Sequence, residues 1–280
     1  MFSTLLKHEM KSLWHYTGIV VICVLIASVL FELGMISVFL IPNYIYDTVM
    51  VPTLIFLFFT ITVALSYGVV FAVAYRFYRS MASDEGYLTH TLPVTVNELI
   101  GAKLFAGTVY TICSLLYIIL FIILTAVIAV LVSGASDSIP EVLKDLEYVY
   151  KEIKENIPLP LFVYFIEFII VGLFSSIYSN VVIFLCVALG QLMKKHKLIW
   201  SVVYYMLVTF VLQGLIQMGS TILGMVFGNG IERYVERVGV DGFVTVSQII
   251  ILVAFLVFAI LSVCGYFITK YIFERKLNLE

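Results

Sequence analysis

The sequence predicts an all-α membrane protein with six transmembrane helices, and two observations support this fold class. Of the 280 residues, 62% are hydrophobic and only 12% are charged, whereas a soluble domain carries about 25% charged residues. The chain also contains six long apolar stretches, and these do not alternate in polarity as the strands of a membrane barrel would. This composition excludes an ordinary soluble enzyme, a disordered chain and a nucleic-acid-binding protein.

Each apolar stretch is long enough to cross a bilayer, for which a helix needs about 20 residues. The six predicted spans are Gly18–Leu40, Val51–Tyr75, Leu104–Val132, Leu161–Leu189, Leu198–Met225 and Ile249–Tyr271. The first span is too long for the apolar core of a signal peptide, so we expect it to be retained.

The distribution of charge predicts that both termini are cytoplasmic, and we expect the protein to lie in the plasma membrane. An even number of spans places both termini on one side, and basic residues favour the cytoplasmic side. With the termini inside, the inner segments carry 11 of the 16 basic residues and six acids, against five basic residues and ten acids outside. The net charge is then +5 inside and −5 outside.

Residues 1–17 predict an amphipathic helix at the inner membrane interface. Their apolar side chains recur at helical spacing, while the basic ones fall mostly on the opposite face. The apolar set is Phe2, Leu5, Leu6, Met10, Leu13 and Trp14. The alternative is a charged flank that only orients the first span.

The segment 76–103 is the longest predicted cytoplasmic segment. Ser83 can cap a short helix over Asp84–Thr91, which Pro93 interrupts. A capping box that begins at Thr95 starts a helix leading into the third span. We expect a short helix parallel to the membrane that can transmit force from a cytoplasmic partner. An ordinary, well-capped connector is the alternative.

The outer segment 133–160 predicts an amphipathic helix of about five turns, which begins at a second capping box at Ser138. It would lie on the outer membrane surface or cap the bundle. The last outer loop, 228–242, predicts a shorter helix.

Two carboxyl groups within the spans are candidates for a transport role, because ionisable residues inside a bilayer are costly and often functional. Glu32 and Glu167 both fall in the predicted outer half of the membrane. They could line a path for a cationic or amphipathic substrate, or they could stay neutral and form hydrogen bonds within the bundle.

A stripe of small residues on the fifth span predicts a close approach of helix backbones. Its members, Ser220, Gly224 and Gly228, recur at four-residue spacing. The contact could lie within one subunit or between two subunits.

The sequence contains no pattern of catalytic or metal-binding residues. It lacks a phosphate-binding G-x-x-x-x-G-K-[ST] loop, an H-E-x-x-H motif, a C-x-x-C pair and a G-x-S-x-G motif. We therefore predict that the chain is not itself an enzyme and holds no metal or cofactor.

The segment between the second and third spans resembles the cytoplasmic loop of ABC type-2 permeases. Those loops contain an acidic residue, glycine, a hydrophobic pair, Pro-Val-Ser/Thr, an acidic-hydrophobic pair, glycine and lysine. The matching positions here are Glu85, Gly86, Leu88, Leu92, Pro93, Val94, Thr95, Glu98 and Lys103. The six spans, the cytoplasmic termini and the amphipathic start also agree with that family.

The resemblance implies the permease subunit of an ATP-driven transporter, usually an exporter. In that family this loop is a coupling helix that docks into a groove of a separate ATPase subunit, which binds ATP and magnesium. The coupling segment would here be 81–92. The implied coupling residues are Asp84, Glu85, Gly86, Tyr87, Leu88, Leu92 and Pro93.

The resemblance also implies a second permease chain, identical or paralogous, with the first and fifth spans commonly lining the seam. The apolar bundle suits an amphipathic or hydrophobic cargo such as a peptide, an antibiotic or a lipid-like molecule. The helix over 133–160 departs from the family, which more often elaborates the last outer loop. The alternatives are an ion-coupled secondary transporter that uses Glu32 and Glu167, and a membrane scaffold or sensor that transports nothing.

Overall fold

Six long helices account for nearly all of the described chain. The computed structural model describes residues 2–40, 50–83, 85–86, 93–132, 144, 148, 151, 161–193 and 195–275. The helices are α1 (Phe2–Leu40), α2 (Val51–Ala82), α3 (Val96–Val132), α4 (Leu161–Gly190), α5 (Lys197–Val238) and α6 (Val240–Arg275). All six are long and apolar enough to cross a membrane. The prediction of six helices that are long and apolar enough to span a membrane is therefore confirmed.

Several helices continue beyond the apolar runs that predict them. Helix α2 extends from the predicted end at Tyr75 to Ala82, and α5 extends from Met225 to Val238. The last outer loop is helical as predicted, but its helix is the end of α5, which continues to Val238. A turn at Gly239, with φ of +76°, separates α5 from α6. Glycine adopts this left-handed conformation without the steric cost of a side chain.

The N-terminal segment is helical as predicted, and it is continuous with the first span in α1. Its buried face differs from the predicted apolar face. Glu9, Leu13 and Thr17 are buried, whereas Trp14 is exposed. The interfacial position of residues 1–17 stays a prediction.

The predicted outer helix lies almost wholly outside the described residues. Within 133–160 the structure describes only Lys144, Tyr148 and Lys151, and each of these is helical.

The chain divides into two compact units. Unit 1 comprises Met1–Arg76 and Gly101–Glu147, and unit 2 comprises Phe77–Ile100 and Tyr148–Glu280. In unit 1, α1, α2 and α3 share a core in which Phe31, Phe58 and Phe121 contact one another, with ring centroids 5.5–5.7 Å apart. The core of unit 1 thus joins three helices through aromatic packing.

In unit 2, helix α4 packs against α5 and α6, and α5 also packs against α6. Phe77 stacks on Phe184 of α4, with ring centroids 3.8 Å apart, and meets Phe273 of α6 edge-on. These contacts place the end of α2 in the core of unit 2.

Gly190, at the junction of α4 and α5, has no room for a side chain. A Cβ atom there would overlap the Ser201 hydroxyl and lie 2.9 Å from the Lys197 carbonyl oxygen and the Ser201 nitrogen. Because two of these three atoms belong to the backbone of α5 and cannot move aside as a side chain can, we expect Gly190→Ala to reduce stability by about 1–3 kcal/mol, the usual cost of overpacking. The check is the apparent Tm of the detergent-purified protein.

Gly172→Ala on the same helix is the matched control, since no described atom lies within 4 Å of a Cβ built at Gly172. We expect that variant to unfold close to the wild-type Tm. Equal losses in both variants would show that the contact with α5 is not the cause.

Candidate functional site

Three charged side chains from three helices meet in unit 1. Nζ of Lys103 lies 2.5 Å from one carboxylate oxygen of Glu9, and Nε of Arg76 lies 3.7 Å from the other. Glu9 and Lys103 are only 5% and 4% exposed. Burying an ion costs several kcal/mol unless an opposite charge compensates it. The three residues, here called the Glu9 cluster, therefore hold the start of α1 to α2 and α3.

Sequence reasoning did not identify the Glu9 cluster. It assigned all three residues only to the charge balance of the cytoplasmic side, and Lys103 also to the loop pattern. A partial signal was present, because Glu9 shares a helical face with Leu13 and Thr17 at four-residue spacing. An acid on a buried face needs a buried partner, but the spacing does not say which cation provides it.

Polar contacts continue along the interface of α1 and α3. In chain order they are Glu9–Lys103, the Met10 carbonyl with the Tyr110 hydroxyl at 2.9 Å, Ser28–Tyr117 at 2.8 Å, and Glu32–Thr125 at 2.7 Å. The partners advance together along both helices, so α1 and α3 run parallel. Each polar contact between membrane helices contributes about 0.6 kcal/mol to stability. Here these contacts also set the register of α1 against α3.

Glu32 is almost fully buried in unit 1, at 8% exposure. Its Oε1 accepts a hydrogen bond from Thr125, and its Oε2 has no hydrogen-bond partner among the described residues. Its partner Thr125 also lines a mostly apolar cavity of about 360 Å³, together with Phe31, Phe58 and others. The hydrogen bond agrees with the bundle-packing interpretation of Glu32, and its place on a substrate path stays a prediction.

Glu167 is half-buried on α4 in unit 2. Its Oε2 accepts a hydrogen bond from the Gln248 side-chain amide of α6 at 3.1 Å. A groove of about 320 Å³ between the two helices is lined by Glu167 and by several aromatic residues. The structure thus places the two membrane carboxyl groups in different units, each bound to one polar side chain.

The first described residues of the segment between α2 and α3 form several contacts with the end of α2. Nε of Arg79 lies 2.6 Å from a carboxylate oxygen of Glu85, and the Gly86 amide donates to the Ser83 carbonyl at 2.7 Å. The Ser83 hydroxyl donates to the Arg79 carbonyl at 2.6 Å. A Cβ at Gly86 would lie 2.8 Å from the backbone of Met81. These contacts fold the first residues of the segment back onto the end of α2.

The predicted helix over 84–91 falls mostly outside the described residues. Asp84, Tyr87, Leu88 and Leu92 belong to the part of the chain that the structure does not describe, so their predicted coupling role stays a prediction. Pro93 is described, in a bend just before α3.

The predicted capping box at the start of α3 is confirmed. The Thr95 amide donates to the Glu98 carboxylate at 3.0 Å, and the Glu98 amide donates to the Thr95 hydroxyl at 3.3 Å. The helix begins at the next residue, Val96. The box satisfies amide groups that the first turn of a helix would otherwise leave unpaired.

The small-residue stripe on α5 faces open space in the described chain. Ser220 is exposed, and no described atom lies within 4 Å of a Cβ built at Gly224 or Gly228. The described residues therefore provide no packing partner within the subunit, and a subunit interface at this stripe stays a prediction.

The described residues contain no group of three or more His, Cys, Asp or Glu side chains that could hold a metal ion. All four cysteines are free thiols, and Cys186 is the buried one.

The six helices and their apolar surfaces indicate a multi-pass membrane protein. No family model, curated protein or solved structure matches this chain.

Proposed function

We propose that this chain is the permease subunit of an ATP-driven ABC exporter in the plasma membrane, with both termini cytoplasmic. The observation that carries the proposal is the segment 76–103. Its sequence resembles the coupling loop of that family, and its described residues are tied to helix ends by the Arg79–Glu85 ion pair and the capping box at Thr95. A loop held in this way can pass a displacement to both helices instead of absorbing it.

The proposed mechanism begins in a partner subunit, where ATP binding would bring two ATPase subunits together. The docked segment 81–92 would move with them and displace α2 and α3. Helix α2 ends at the start of that segment, at Ala82, and α3 begins just after it, at Val96. Each then continues unbroken through its span, and hydrogen-bonded helices transmit displacement as rigid elements. The Glu9 cluster would make α1 follow, because Glu9 is bound to residues of both helices.

A second permease chain is part of the proposal. Among the α5 residues whose side chains are described, only Ser201 is buried. The most exposed apolar side chains of this helix include Met206, Phe210 and Met225. This surface and the adjacent glycine stripe support a contact with a second chain, while lipid would cover the remainder.

The first experiment is to purify the tagged chain from its native membrane in mild detergent and identify what accompanies it. We expect a stoichiometric cytosolic protein with a G-x-x-x-x-G-K-[ST] motif and vanadate-sensitive ATP hydrolysis. Native mass spectrometry should give two permease chains per complex. A stable six-span protein that comes without any ATPase would overturn the proposal.

The second candidate function is an ion-coupled secondary transporter. The observation that favours it is the buried Oε2 of Glu32, which has no hydrogen-bond partner among the described residues. Such a carrier should lose transport in Glu32→Gln, respond to uncouplers and need no ATP. Transport by an ABC exporter should instead require ATP and should continue in the presence of an uncoupler.

A further inference from the structure

The groove between α4 and α6 combines one acidic group with an aromatic lining. Its volume is about 320 Å³, and the aromatic residues that line it are Tyr164, Phe168, Phe174, Phe255 and Phe258. Phe174 and Phe255 meet across the two helices, with ring centroids 4.3 Å apart. The wall is therefore apolar and built largely from aromatic faces, with Glu167 as its acidic group.

Among the described residues, no cationic side chain pairs with the carboxyl group of Glu167. In the part of the chain that the structure describes, the carboxyl groups in ion pairs are those of Glu9, Glu85 and Glu274, and the hydrogen-bond partner of Glu167 is the neutral amide of Gln248. A carboxylate in a low-dielectric site attracts a cation more strongly than it would in water. The aromatic faces add to this attraction, because the negative face of a ring attracts a desolvated cation.

We propose that this groove binds a single-chain amphiphile with an ammonium head group. The head lies at Glu167 and the aromatic rings, and the apolar chain lies along Phe174, Phe255 and Phe258. The volume supports one chain, because about 320 Å³ is at the lower end of the range of about 300–1,000 Å³ for small-molecule sites. A two-chain lipid needs more space.

The assignment of this amphiphile as cargo rests on the proposed function, but its binding does not. Binding in the groove needs neither ATP nor the partner subunit, so it can be measured on the purified chain alone. Failure to find an ATPase would overturn the proposed exporter function but not the proposed binding site. Failure to bind the amphiphile would overturn the proposed binding site but not the proposed exporter function.

The test measures binding of tritiated dodecyltrimethylammonium to the chain in nanodiscs of digalactosyldiacylglycerol, an uncharged lipid without an ammonium group. We expect one saturable site per chain, with dodecyl maltoside competing poorly. Glu167→Gln should weaken binding about tenfold, because it removes the charge and keeps the shape. Tyr164→Leu should weaken it as well, because it removes an aromatic face one helical turn from Glu167.

Glu274→Gln is the matched control, since it makes the same change on α6 at a carboxyl group that does not line the groove. It should bind the probe as the wild type does. Equal binding by the wild type and Glu167→Gln, or equal losses in both glutamine variants, would overturn the site. Displacement of the probe by phosphatidylethanolamine in the discs would show a bilayer-lipid site and overturn the assignment of a single-chain ligand.

Discussion

Replacing Glu9 with leucine should be among the most destabilising single substitutions in this protein. The change leaves Arg76 and Lys103 in a buried site without the carboxylate that both contact. Removing one partner of a buried charge pair costs about 3–5 kcal/mol. We expect a large fall in the apparent Tm of the detergent-purified protein, accompanied by aggregation in size-exclusion chromatography.

Two further variants make this prediction specific. Glu85→Gln breaks an exposed ion pair, whose side chains are 46% and 40% exposed, and such pairs contribute about 0–1 kcal/mol. The double variant Glu9→Leu/Lys103→Met should recover part of the loss, because apolar residues often replace buried ion pairs without penalty. A Glu9→Leu protein as stable as Glu85→Gln would contradict the structural role of the Glu9 cluster.

Charge changes in the coupling segment should abolish transport and ATPase binding while leaving membrane insertion intact. Glu85→Arg places a second cation beside Arg79, and Leu88→Asp places a charge where the family resemblance predicts docking. Loss of a central interface contact costs about 2 kcal/mol or more, which corresponds to a fall in affinity of about thirtyfold. Co-purification of the ATPase and ATP-dependent transport measure the effect.

Glu274→Arg is the control for the charge reversal at Glu85. Glu274 pairs with Lys270 at 3.7 Å near the end of α6, and its side chain is 41% exposed, close to the 40% of Glu85. We expect this variant to bind the ATPase and transport normally. If Glu85→Arg and Leu88→Asp also transport normally, segment 81–92 is not the coupling helix.

Local features were predictable because a few neighbouring residues determine them. The capping box at Thr95 depends on a side chain three residues away, and the structure contains both of its hydrogen bonds. The ends of α2 and α5 were not predictable from hydropathy, since a helix continues outside the apolar layer until a residue such as Gly239 stops it. Apolar length therefore indicates the part of a helix that can cross the membrane rather than the whole helix.

In the candidate site, too, features set by neighbouring residues were predictable, and contacts between residues distant in the sequence were not. Glu32 and Glu167 were identifiable because a carboxyl group within an apolar run is conspicuous in any sequence. Their partners were not identifiable, because Thr125 and Gln248 are ordinary polar residues on other helices. The aromatic groove beside Glu167 was also hidden, since its residues are separated in the chain and are common in every span.

The sequence by itself determined six membrane-spanning helices, because each helix satisfies its backbone hydrogen bonds within one continuous apolar stretch. Only the tertiary structure decided which side chains meet. Glu9 and Lys103 are 94 positions apart, and Glu167 and Gln248 are 81 apart. Such contacts depend on the rotation and register of neighbouring helices, which the packing of whole helices against one another decides.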